Sequence, residues 1–267
     1  MPFEAYKIYQ EYEPDKYKAS TEVKVARALA EAKKEGLVPK QEAIDFREVQ
    51  ELFGKDFLGP EAMKKTWGVD LTEEELQEIE HIPFSREELE KAKALGMMLV
   101  LRSPRNQEQK PLTIKQMRDM FSQEDHLGDP QKKKSRVMWN QDWYNNEDFA
   151  AKATSNLGWG LVAKEVLAES RNKNWEEQQK ELEKWAKNND IDPKTIRRRT
   201  PVEVAYDTVT YYGANQDSLL ENSYDWTSVQ SSAGRFVNVG SFVSDGLYVS
   251  SAARGHRYSG LGVCPAR

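Results

Sequence analysis

The side chains suited to covalent or acid–base chemistry are few and scattered. The 267 residues hold one cysteine, Cys264, and three histidines, His81, His126 and His256. A lone thiol forms neither an internal disulfide nor a cysteine-only zinc cluster, and it reads as a small buried hydrophobe. The histidines lack the close spacing of metal ligands, so no metal site is expected. Glu73, Glu74 and Glu75 open a predicted helix, where carboxylates favour the helix dipole over catalysis. Glycines recur between Gly255 and Gly262, but no helix pattern follows to cradle a phosphate. There is no nucleophile elbow, P-loop or dinucleotide fingerprint. The chain therefore reads as a non-enzyme without a cofactor.

Two basic runs, Lys132-Lys-Lys134 with Arg136 and Arg197-Arg-Arg199, would suit phosphate contacts. They lack interleaved aromatics, and the chain carries a net charge of −5, so nucleic acid is a disfavoured partner.

The last fifty residues carry a different chemistry. From Gln216 to Arg267 there is no lysine, but there are ten serines and six glycines among short apolar pairs. Tyrosine gives contact area for few frozen rotors, and serine and asparagine give adaptable hydrogen bonds. That composition suits a binding surface on a β-rich scaffold. Trp226 and Phe242 read as core anchors. Val237 and Val239, two apart, face one way, and Phe236 and Asn238 the other. Gly240 marks a bulge and Gly246 a turn after Asp245.

The elements that must position this tail are mostly helical. Hydrophobic content of 38%, charge of 31% and seven tryptophans describe a folded chain with a highly charged surface. Residues 1 to about 40 read as helix-prone. Phe46, Val49 and Phe53 share a helix face, and Gly59-Pro60 opens a short helix through Trp67. Thr72, Ser85, Thr113 and Thr200 each fit a capping box, with Pro201 after the last. Met97–Leu101 and Trp159–Ala163 read as strands. A helix from about Asn174 to Lys187 carries Trp175, Leu182 and Trp185 as core packing. A further helix, 201–212, precedes the β-rich close. The fold class is α+β, with a helical N-terminal region over 1–85 and a second domain over 86–267. No apolar run approaches membrane-spanning length and no signal pattern opens the chain, so cytoplasmic residence is the default expectation.

Several segments together resemble the variable proteins of diversity-generating retroelements. They are Thr200-Pro-Val-Glu-Val-Ala-Tyr-Asp207, Leu219-Leu-Glu-Asn-Ser-Tyr-Asp-Trp-Thr227, Gly234-Arg-Phe-Val-Asn-Val-Gly-Ser-Phe242 with Ser244-Asp-Gly246, and Leu261-Gly-Val263. Upstream, Phe57–Ala62, Ile82–Ser85, Pro111–Ile114 and Asp142–Phe149 look similar to the same set. The resemblance implies a C-type lectin fold of the formylglycine-generating-enzyme branch over 86–267, with a variable segment within 222–267. It implies rewriting at adenine-derived codons, which yield no Lys, Glu, Gln, Met or Trp. The lysine-free tail agrees, with Gln230 left as framework. The candidate rewritten, ligand-contacting positions are Phe236, Asn238, Ser241, Val243, Tyr248, Ser250, Ser251, Ala252, Ala253, Arg254, Gly255, His256 and Arg257. The framework would be Trp226, Gly234, Val237, Val239, Phe242, Gly246, Leu261, Gly262 and Val263. Asp217, Glu221, Asp225 and Asp245 are too spread out for the calcium cage of many lectin-like domains.

The expected function is therefore ligand display toward a macromolecular partner, with ligand and oligomeric state open. The alternatives are an oxidase of the formylglycine-generating type or its degenerate relative, for which only Cys264 is at hand, and a nucleic-acid-associated protein using the basic runs. A β-rich cap with an unremarkable surface is the plainest reading of the tail.

Overall fold

The computed structural model describes residues 46–123, 127 and 134–267. Contacts divide the chain between Ala43 and Ile44, and the description concerns the unit from Ile44 to Arg267. The predicted helix before residue 40, His126, Lys132 and Lys133 lie outside the described residues.

The unit is mixed α+β. Helices α1 (Phe46–Phe53), α2 (Pro60–Trp67), α3 (Glu73–Glu80) and α4 (Arg86–Ala94) come first, with strand β1 (Phe57–Leu58) between α1 and α2. Then follow β2 (Met97–Arg102), α5 (Ile114–Phe121), α6 (Asp148–Ala151), β3 (Gly158–Ala163), α7 (Trp175–Asn188) and α8 (Pro201–Asn215). The chain closes with β4 (Tyr224–Gln230), β5 (Phe236–Val243), β6 (Gly246–Ala252) and β7 (Leu261–Gly262).

Local chemistry sets the helix starts. Thr72, Ser85 and Thr200 form full capping boxes with Glu75, Glu88 and Glu203. At Thr113 only the hydroxyl half forms, accepting from the Gln116 amide. Asn174 makes a box with Glu177 that the hydroxyl pattern did not flag.

Two sheets result. The first has order β1-β2-β3 and the second β6-β5-β4-β7. Every β2 residue is buried, as its unbroken apolar run predicts. Met97 and Leu99 pack against Val49, Phe53 and Leu89, while Met98 and Val100 join the main core. Helix α8 is buried nearly all round, beyond the single stripe read from its sequence. The Trp67 indole donates to Thr210 Oγ1 at 2.8 Å and its ring stacks on Tyr206.

Leu58, Met63 and Trp67 belong to the same buried cluster as α8 and the second sheet. Residues 46–85 therefore share a core with 86–267, and the 85/86 boundary read from composition is displaced to 43/44. A charged helix surface resembles an independent arm in sequence even when its apolar side is packed inward.

The final residues join the two sheets. Ala163 N–H donates to the Pro265 carbonyl at 2.9 Å, and Arg267 N–H to the Leu161 carbonyl at 2.9 Å. A buried ion network lies close by. Arg102 binds Asp207 through two bonds of 2.7 Å, and Arg199 bridges Asp207 and Asp225 at 2.9 Å each. Two guanidinium groups facing two carboxylates leave little net buried charge, which makes such burial tolerable.

Candidate functional site

The second sheet has two unlike faces. On its inner face Val237, Val239, Phe242, Leu247 and Val249 are all fully buried in the main core. Asp225 points the same way, receiving Arg199 and the Cys264 amide N–H at 2.9 Å. The framework positions Trp226, Leu261 and Val263 are buried as well. Gly262 sits against Val166 and Ser170, where a Cβ would come within 2.8 Å of both, and Gly234 makes an exposed turn at φ +71°.

Two glycines shape the β5–β6 hairpin. A Cβ on Gly240 would lie 2.1 Å from the Ser223 carbonyl oxygen, so only glycine permits that approach. The strand register shifts between Gly240 and Val243, the predicted bulge. Gly246 follows the turn at φ +103°, with the Met138–Trp139 backbone 2.8 Å from where a Cβ would be.

The outer face is partly covered. Phe236, Trp226, Ala252 and Leu261 form a small buried cluster beneath Trp175 and Tyr224. Trp175, the first residue of α7, stacks on Phe236 with ring centroids 4.6 Å apart, and its indole donates to the Thr227 carbonyl at 3.2 Å. The guanidinium groups of Arg198 and Arg254 lie 4.5 and 5.6 Å from the Trp175 ring. At the far edge of β6, Trp139 stacks on Tyr248 at 5.2 Å, and Arg136 lies 5.2 Å from Trp139.

This arrangement corrects the sequence-based set of exposed positions. Phe236 and Ala252 are 7% and 6% exposed, because α7 lays Trp175 over that end of the face, and Asn238 is 4% exposed. Ser251 pairs with Val237 and so lies on the opposite side from Ser250, which pairs with Asn238. Arg235 holds Ser251 through its hydroxyl and carbonyl. Ser241 and Val243, beyond the bulge, border a separate groove of about 390 Å³ with Tyr224, Arg171 and Tyr258. Tyr248 and Ser250 are half-buried on the outer face.

Ala253, Arg254, Gly255, His256 and Arg257 are all exposed. Their backbone is pinned against α7: Trp175 N–H donates to the Arg254 carbonyl at 3.1 Å, and His256 N–H to the Ala253 carbonyl at 2.8 Å. Arg257 pairs with Glu177 at 2.6 Å, and Arg254 with Glu176. The loop thus has a fixed course and free side-chain space.

Two of the three arginines in the Arg197–Arg199 run turn inward. Arg197 pairs with Glu203, Arg199 is consumed in the ion network, and Arg198 is 4% exposed. Burial lowers the Arg198 guanidinium to about 10, since it has only neutral acceptors: the Gln178 and Gln179 side chains and the carbonyls of Trp175 and Trp226. Lys134 is buried too, donating to the Phe242 carbonyl at 2.8 Å. Arg198, Arg199 and Lys134 are thus withdrawn from the surface, while Arg197 stays exposed and paired with Glu203.

Cys264 is fully buried, and burial pushes its thiol well above the ordinary range. Among the described residues no cluster of three or more His, Cys, Asp or Glu could hold a metal ion, and no helix is long and apolar enough to cross a membrane.

Sequence reasoning missed Trp139, Trp175, Arg136 and Arg198 as parts of the outer face. Trp175 shares a helical stripe with Leu182, so periodicity assigned it to the core. Only its position in the first turn, where a side chain reaches beyond its own helix, hinted otherwise. Comparison with family models, curated proteins and solved structures gives no match to this chain.

Proposed function

We propose that this protein is a ligand-binding display protein, and that its recognition surface is the outer face of the C-terminal sheet together with the loop 253–257. The contrast in burial carries the reading. Fully buried Val237, Val239, Leu247 and Val249 lie behind a strip and loop whose side chains bear little of the packing. A scaffold of that kind tolerates exchange of its surface residues without unfolding.

The resemblance to variable proteins of diversity-generating retroelements fits this division. In that reading the unit is a C-type lectin-like domain, and Tyr248, Ser250 and Ala253–Arg257 are the principal rewritten positions. Phe236, Asn238 and Ala252 are partly structural, and a rewritten residue there would have to fit beneath Trp175. The partner is a macromolecule, because the surface is broad and flanked by open grooves.

Sequencing the gene from sibling cells tests the reading. Substitutions concentrated at codons 248, 250 and 253–257, each reachable by changing adenines, support it. Substitutions spread evenly along the gene overturn it.

A further inference from the structure

We propose that the groove bordered by Ser241 and Val243 binds a neutral, hydroxyl-rich ring, a sugar or cyclic polyol, at a site apart from the display surface. Tyr248, Ser250 and the loop 253–257 do not line it. Its other walls are Arg171, Glu221, Asn222, Tyr224 and the segment Tyr258–Gly260. Its volume of about 390 Å³ stands at the lower end of the range of about 300–1,000 Å³ typical of small-molecule sites. Glu221, Asn222, Tyr258 and Ser259 are exposed, and Arg171, Tyr224 and Ser241 are half-buried, so a ligand can reach them.

The polar groups of the groove are unspent. The Arg171 guanidinium donates to the Ser259 carbonyl at 3.2 Å and has no ion-pair partner among the described residues. The Glu221 carboxylate lies 4.0 Å from Lys134 Nζ, beyond hydrogen-bond reach. The side-chain polar atoms of Asn222, Tyr224, Ser241, Tyr258 and Ser259 bond to no described residue. A ligand entering here displaces water and breaks no bond within the protein. The chemistry of these groups selects the ligand. Arg171 only donates, Glu221 only accepts, and the carboxamide and hydroxyls do both. One cation against one carboxylate leaves the lining without net charge. A simple anion meets Glu221 and a simple cation meets Arg171, whereas hydroxyl groups donate and accept and so match the whole set. Tyr224 and Tyr258, neither stacked on another aromatic among the described residues, supply apolar surface for the C–H side of a ring.

The walls are held in place by backbone bonds. Tyr224 N–H donates to the Gly260 carbonyl at 2.7 Å, Asn172 N–H to the Tyr258 carbonyl at 3.1 Å, and Ser241 N–H to the Ser223 carbonyl at 2.8 Å. A Cβ on Gly260 would fall 2.6 Å from the Tyr258 ring, so the absence of a side chain there makes room for that ring. Ser241 takes a φ of +50°, a left-handed conformation that non-glycine residues rarely adopt and that concentrates at ligand sites. Walls arranged in advance lower the cost of binding.

Calorimetric titration of the full chain with glucose, galactose, mannose, N-acetylglucosamine and myo-inositol, alongside arrays of immobilised neutral glycans, provides the test. Saturable binding of at least one probe is expected, and it should not change with salt. Tyr258→Ala, at an exposed position, should weaken it roughly tenfold. Ser241→Gly, which relaxes the backbone as it removes the hydroxyl, should weaken it about threefold. Lys187→Gln, on α7 and outside the groove, should leave it unchanged. Circular dichroism of each variant confirms folding. Tighter binding to the arrays than to the free sugars would place the ring on a partner's glycan, and equal binding would make it a free molecule; both uphold the site. Binding by no probe overturns it, as does binding that neither groove variant weakens or that falls steeply with salt. Free amino acids, nucleosides or inorganic phosphate binding more tightly through the same residues would also overturn it, assigning the groove to a zwitterion, a base or an anion. Display is judged separately: rewriting at codons 248, 250 and 253–257 can be absent while the sugar binds, and the sugar can fail to bind while rewriting is found.

Discussion

The two faces of one β-sheet differ more than any two domains of this molecule need to. On the inner face β5 and β6 contribute a continuous layer of fully buried aliphatic side chains, and Asp225 closes an ion network with Arg199. On the outer face the same strands present an asparagine, a serine and a tyrosine beside two aromatic stacks. Period-2 alternation places both sets on one ribbon of chain. One face fixes the backbone, and the other is released from that task. On the proposed reading, this separation is what would let the outer face serve recognition.

The sharpest way to break the contrast is on the inner side. Asp225→Asn leaves Arg199 with Asp207 alone and an uncompensated buried charge, and should cost about 4 kcal/mol in denaturant unfolding. A loss below about 1 kcal/mol would show that the inner face is not the scaffold.

The next effect is pH-dependent. Burial pushes the Glu203 carboxyl up, but the bonds from Arg197 and the charge of Arg102 outweigh it and hold it at about 2, below the ordinary 4.5. A depressed carboxyl contributes stability that is present above its unfolded value and lost as pH falls. Unfolding free energy should therefore decline by on the order of 3 kcal/mol between about pH 4.5 and 2 from this group. Glu203→Gln, which keeps the cap geometry, should flatten that part of the curve; an unchanged slope would remove Glu203 from the network's electrostatics.

Phe236→Ala tests the outer cluster. The loss should be about 2 kcal/mol, less than the 3–5 typical of a deep core, because Trp175 can settle into the space. It should also perturb ligand recognition, which the inner-face variants reach only by unfolding. The smallest effects belong to the loop: Arg254→Ala and His256→Ala should each change stability by about 0.5 kcal/mol or less. A larger loss at His256 would mean that the loop is part of the scaffold.

Much of the fold was legible in the sequence because local chemistry specified it. Four capping hydroxyls, the Gly59-Pro60 start, the apolar run of β2 and the Asp245-Gly246 turn depend on neighbours in sequence, and they stand where the residues indicate. The alternation of Val237 and Val239 against Phe236 and Asn238 was legible too. What the alternation could not reveal is that an outward side chain can still be buried by another element. Trp175 comes from 61 residues upstream of Phe236, and no periodicity reports that encounter. The Arg197–Arg199 run failed for the same reason. Its charges look solvated until Asp207, Asp225 and Glu203 arrive from α8 and β4.

The most direct test exchanges the residues of one face against those of the other. A library randomised at Tyr248, Ser250 and Ala253–Arg257 and a second randomised at Val237, Val239, Leu247 and Val249 would be sorted first for folding and then for binding to a selected ligand. The account predicts that most members of the first library fold with midpoints within about 5 °C of the parent, while ligand preference changes widely among them, and that few members of the second fold. Equal tolerance in the two libraries, or a first library that folds but never alters ligand preference, would contradict it.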